Sequence, residues 1–134
     1  MPSTFTSNFA LEKIATGEQS GTWGNTTNFN VDIFDRLAGF TQITMTSTPE
    51  TLQVRPGTPT QGASNTEDGM FRVIEYIDAA DLGGDVTLTI APDNTRAFVF
   101  IKNSLTADRN IIVTQGSGTN VTIPGSGKVS ILYG

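Results

Sequence analysis

The stretch "DVTLTIAPDNTRAFVFIKNSLTADRNIIVTQ", residues 85–115, decides the fold. Val86, Leu88 and Ile90 alternate with Thr87, Thr89 and Ala91. That period of two turns one face of a strand toward a core and the other toward water. "RAFVFIK" is apolar on both faces, as a strand in the middle of a sheet is. "RNIIVTQ" supplies another short apolar run, and "APDNT" and "NSLTAD" between them carry turn chemistry. Outward from this block, "MFRVIEYI" (70–77), "TNVTIP" (119–124) and "GKVSILY" (127–133) continue the series, with "QGSG" and "IPGSG" as further turns. Short strands at this regular spacing predict a mainly β fold, a small antiparallel β-sandwich or barrel of about six to eight strands.

Upstream the period changes. Phe29, Ile33 and Leu37 fall at i, i+4, i+8 with Phe34 beside them, while Asn30, Asp32, Asp35 and Arg36 take the other face. Asn25, Thr26 and Thr27 are all good N-cap types and Gly39 supplies a stop, so one short α-helix is predicted over about 27–38. Asp32 and Arg36 stand in the favourable i, i+4 order, worth about 0.3 kcal/mol at an exposed site. Residues 1–24 read as an N-terminal arm and a Trp-Gly turn; Phe5, Phe9, Ala10, Leu11 and Ile14 fit either an extended arm or one helical turn. Residues 25–134 read as a single domain, in which "FTQITMT" and "TLQV" add imperfect alternation and 55–69, rich in Pro, Gly and Ser, forms a long loop. Loops of this length inside compact domains are usually functional or mobile, which makes Arg55, Pro56 and their neighbours candidate contacts.

The 134 residues suffice for one core. Charged residues make up 16% of the chain, against a usual ~25%. Solubility therefore rests on hydroxyls and amides. The net charge of -5 and the scattered Lys and Arg residues argue against nucleic acid as a partner. With no cysteine and no histidine, thiolate metal sites, disulfides and the commonest general base are excluded. The N-terminus has neither the basic region nor the apolar core of a secretory signal, and no apolar run reaches the ~18 residues of a membrane span.

Candidate chemistry is thin. "IPGSGKVS" departs from a phosphate loop, with Thr122 where the first glycine belongs and Val129 after Lys128. Asp78, Asp81 and Asp85 in "DAADLGGD" do not follow the alternate-residue spacing of a calcium loop. Glu67, Asp68 and Glu75 are the carboxylates a glycosidase reading would have to use, and no serine stands in a Ser-x-x-Lys context. No catalytic residue, cofactor or metal is expected, and the protein reads as a non-enzyme.

The run "TGEQSGTWGNTTNFNVDIFDRLAGF", residues 16–40, resembles the N-terminal signature of tail-fibre and related virion structural proteins of tailed bacteriophages, where Gly-x-Trp-Gly precedes an Asn-rich helix ending in Ala-Gly. Residues 96–134 look like the β-segment that follows in those proteins, which ordinarily runs on into further fibre sequence; here the chain stops at Gly134. The resemblance implies the virion-proximal region that attaches a fibre to the tail, made in the bacterial cytoplasm. It implies a homo-oligomer, a trimer by analogy, and partners among tail adaptor, nozzle or baseplate proteins. Interface candidates are then Trp23, Phe5, Phe9, Phe29, Phe34, Arg55 and Pro56. For Trp23 two readings stand: it covers the end of the helix, its indole N–H finding a carbonyl, or it lies in a subunit or tail interface. Rival roles are a capsid decoration protein, equally small, acidic and β-rich, and a module that binds host-surface carbohydrate.

Overall fold

The computed structural model describes residues 3–93, 95, 98–116, 119–125 and 129–133, the last five through their backbone alone. Gly127 and Lys128 of the loop-like motif and the side chain of Tyr133 lie outside the described residues. A two-residue hairpin, β1 (Thr4–Phe5) with β2 (Glu12–Lys13), precedes helix α1 (Trp23–Leu37). Then come β3 (Phe40–Met45), β4 (Pro49–Gln53), β5 (Val73–Asp78), β6 (Val86–Ala91), β7 (Phe98–Asn103), β8 (Ile111–Thr114), β9 (Val121–Ile123) and β10 (Val129–Tyr133). These eight form two four-stranded sheets, in the orders β10-β7-β5-β3 and β4-β6-β8-β9. The fold is mainly β with one short helix, as the sequence predicts.

Strand direction differs from expectation, and of sandwich and barrel the structure is the sandwich. β3, β5 and β7 run parallel in one sheet, and β4, β6 and β8 run parallel in the other. Only β9 and β10, at the far end of each sheet, pair antiparallel. From β3 to β8 the chain therefore crosses to the facing sheet at each step and returns one position further along, so that β6 is itself the connection between β5 and β7. Proline, asparagine and glycine turns serve such an arch as well as a hairpin, which is why turn chemistry left the direction open. Nor does either sheet curl into a barrel; the two lie face to face over one core.

Alternation sets that core. Ile74, Tyr76, Val99 and Ile101 from one sheet meet Leu52, Leu88, Ile90, Ile111 and Val113 from the other, all buried. The outer face of the second sheet stacks Thr51, Thr89 and Thr114 in register, one place where the hydroxyl-rich composition meets water. At the open end, β3 and β4 are both edges. Pro49 cannot donate a ladder bond, and Glu50 stands in register with the buried Leu88, on the inward face. Both features oppose edge-to-edge pairing of a further strand.

Helix α1 begins earlier than expected. Gln19, at φ 57°, offers its carbonyl to the backbone N–H groups of both Thr22 and Trp23, each at 2.9 Å. Those donors are satisfied without a side-chain cap, so Trp23 opens the helix, and Thr26 and Thr27 sit inside it rather than before it. Arg36 does not pair with Asp32. It reaches Asp68 at 3.5 Å and lies 4.7 Å over the ring of Phe71, where it adds a cation–π contact.

Gly69 lies against β4 so closely that a Cβ there would stand 2.5 Å from the Gln53 carbonyl oxygen. Gly24, in the first turn of α1, has open space around it. Gly69→Ala is expected to cost roughly 1–3 kcal/mol through forced backbone shift. Gly24→Ala should be neutral or stabilising, by up to about 1 kcal/mol. Urea unfolding of the two variants measures both, and equal destabilisation would contradict this packing.

Candidate interaction surface

The polar block "TGEQSG" forms a connector. Glu12, 6% exposed, accepts the backbone N–H of Gly62 at 2.8 Å on one carboxylate oxygen and the Gln19 side-chain amide on the other. The Gln19 amide oxygen in turn accepts the hydroxyl of the buried Thr26. Asn30 pairs with both backbone groups of Glu12, donating to its carbonyl at 2.9 Å and accepting its N–H at 3.0 Å. Gln61 donates to Glu18 at 2.8 Å. Hairpin, connector, helix and the 55–69 loop are thus joined by one largely satisfied network, the arrangement that makes buried polar groups rigidifying rather than costly. The loop is further folded on itself by the buried Asn65, which accepts the Thr60 N–H at 2.9 Å and donates back to the Thr60 carbonyl.

This network fixes which way α1 faces. Thr26 and Ile33 are buried, and Phe29 and Leu37 are half-buried beside them. Roughly a third of a turn away lies a second apolar stripe, Trp23, Val31 and Phe34, exposed by 62, 55 and 59%. Asp35 flanks it and Asp32 follows, both exposed. Trp23 therefore does not cover the helix end as core. Phe34, expected beside the buried face, belongs to the outer one. Of the other candidates, Phe5, Arg55 and Pro56 are half-buried, and Phe9 packs against the core. The seven do not converge on one patch.

Sequence reasoning missed a second surface, at the foot of the first sheet. Phe40, Val73 and Phe100 stand in register across β3, β5 and β7 on its outer face, with Phe98 two residues before Phe100 and its ring 5.9 Å away, edge-on. Phe40 and Phe98 are 59 and 51% exposed. Phe98 also borders a cavity of about 220 Å3, walled by Phe9, Leu37, Val54, Met70 and Arg72. The Arg72 guanidinium lies 5.4 Å from the Phe98 ring. "RAFVFIK" carried the signal: a central strand apolar on both faces has one face left over when its sheet is covered on one side only.

The remaining chemical candidates hold structure. Asp78 accepts the N–H and hydroxyl of Thr106, Asp81 the Arg109 side chain at 2.8 and 3.0 Å, and Asp85 the N–H of Asn110 at 2.9 Å. The three aspartates thus clasp the next arch one by one instead of converging. Glu75 accepts from Ser104, Gln42 and Lys102, donors that hold its carboxyl below the usual range. Burial and then the neighbouring Asp68 push Glu67 upward.

Neither a protein-family model nor any characterised protein or solved structure matches the chain significantly.

Two predictions follow from these contacts. Glu12→Ala strands the Gly62 N–H and the Gln19 amide, and is expected to cost about 2 kcal/mol with faster amide exchange across 60–65. Hydrogen exchange that changed uniformly along the chain would argue against a local brace. For Asp81, the hydrogen bonds from Arg109 lower its pKa to about 2. A carboxyl depressed on folding stabilises above its ordinary value, near pH 4, and loses that contribution as pH falls through its folded value. Asp81→Asn should therefore flatten the fall in Tm between about pH 4 and about pH 2; an unchanged slope would show that the pair does not contribute.

Proposed function

We propose that this chain is a virion structural protein of a tailed bacteriophage, the N-terminal region of a tail fibre that attaches the fibre to the tail. In this reading it works without catalysis, as a homo-oligomer, a trimer, against a tail adaptor, nozzle or baseplate protein. It is made in the bacterial cytoplasm and resides in the virion.

One observation carries the reading. The residues that bear the fibre resemblance, 16–40, include those that brace α1 and those that the brace leaves outermost, Trp23, Val31 and Phe34. A preorganised aromatic anchor loses little side-chain and loop freedom on association, so more of its buried area appears as affinity. A stripe of this kind on a small soluble domain calls for a partner. The carboxylates offer no comparable support for hydrolysis, since Glu75 is engaged by three donors on the outer face of the sheet.

Labelling purified virions with gold-tagged antibody against this protein tests the assignment. Gold at the tail or fibre base is the expected result. Gold spread over the head would make it a decoration protein instead. In the first case Trp23→Ala, which removes an exposed ring and leaves the core intact, should reduce incorporation into particles without lowering the stability of the isolated protein.

A further inference from the structure

Trp23 and the cavity at the foot of the sheet are complementary, and they cannot meet within one molecule. Trp23 opens α1 and Leu37, which lines the cavity, closes it. At 1.5 Å per residue these two positions lie roughly 20 Å apart on a rigid helix. The indole is exposed while the recess that suits it lies at the opposite end of the same element.

We infer that the recess receives Trp23 of a second copy of this chain. Size and wall chemistry favour that occupant. At about 220 Å3 the cavity is smaller than the ~300 Å3 at which ordinary small-molecule sites begin, and comparable to one large aromatic side chain. Phe9, Leu37, Val54, Met70 and Phe98 supply apolar walls, and Arg72 supplies a guanidinium where an indole face gains a cation–π contact. Arg72 is exposed and makes no ion pair among the described residues. Docking sets α1 of one copy against the foot of the next, where Phe40 and Phe98 are exposed. A contact between two different patches closes as a reciprocal pair or as a ring, and a ring of three is the form the fibre reading requires. The inference rests on the self-assembly in that reading but not on location in the virion.

The chain has a single tryptophan, so its fluorescence reports the surroundings of Trp23 alone. On concentration from nanomolar to high micromolar, the wild-type protein is expected to shift its emission to the blue as its mass by light scattering rises. Phe98→Asp, at a half-exposed position, and Arg72→Glu should each weaken association roughly 30-fold or more, as loss of a central contact does. Circular dichroism checks that both remain folded. The decisive step mixes two variants. Trp23→Ala keeps the recess but has no indole, and Phe98→Asp keeps the indole but has a damaged recess. Mixing them should restore the blue shift that neither shows alone, with the mass of a two-chain species. A wild-type protein that stays monomeric with unshifted emission, an oligomer indifferent to Phe98→Asp and Arg72→Glu, or a mixture without recovery would overturn the inference. Gold at the tail with any of these outcomes would leave the virion role standing and remove only this contact.

Discussion

The rest of the structure depends on the burial of one row of aliphatic side chains between two sheets that share no strand. Ile74, Leu88, Ile101 and Ile111 are fully buried, and each gains its cover from the opposite sheet. A strand in one sheet therefore has no core until the chain has crossed and laid down its counterpart. From β3 to β8, consecutive strands facing each other across the core, rather than pairing side by side, is the direct result. The parallel register within each sheet follows, because every second strand re-enters the same sheet in the same direction. The clasps from Asp78, Asp81 and Asp85 to Thr106, Arg109 and Asn110 tie one arch to the next where the ladder bonds end.

Such a stack leaves its first strands open, and the N-terminal third deals with that end. Glu50 and Pro49 oppose further pairing on the edge. The helix and the long loop then build against the end of the stack through Gly69, which approaches β4 too closely for any side chain, and through Arg36 on Asp68 and Phe71. The buried carboxylate of Glu12 gathers hairpin, connector and loop around this assembly. Polar groups do here what a small core cannot, fixing direction as well as proximity.

The consequence for function is a rigid presentation of apolar surface. A helix held on its inner face by the hydrogen bonds of Thr26 and Asn30 and by the buried Ile33 still offers Trp23, Val31 and Phe34 outward, with acidic residues alongside. The sheet offers Phe40 and Phe98, with Arg72 alongside. Surfaces of this kind are what the proposed role in assembly would use.

By itself the sequence determined what depends on local chemistry. Period-two alternation at Val86–Leu88–Ile90 gave the β class and the inward residues. The i, i+4, i+8 spacing of Phe29, Ile33 and Leu37 gave the helix and its buried side, and the missing Cys and His narrowed the chemistry. What depends on which segments meet was decided only by the tertiary structure. Turn residues are alike in a hairpin and in an arch, so strand direction was not legible. The start of α1 moved to Trp23 because Gln19 places its carbonyl under the first turn. Arg36 left Asp32 for Asp68 and Phe71, since two partners across the fold outweigh one exposed neighbour along the helix. Trp23 lay in a conspicuous stretch of sequence, but exposure is a property of the packed molecule: only once Thr26, Asn30 and Ile33 have taken the inner face is the tryptophan left outside.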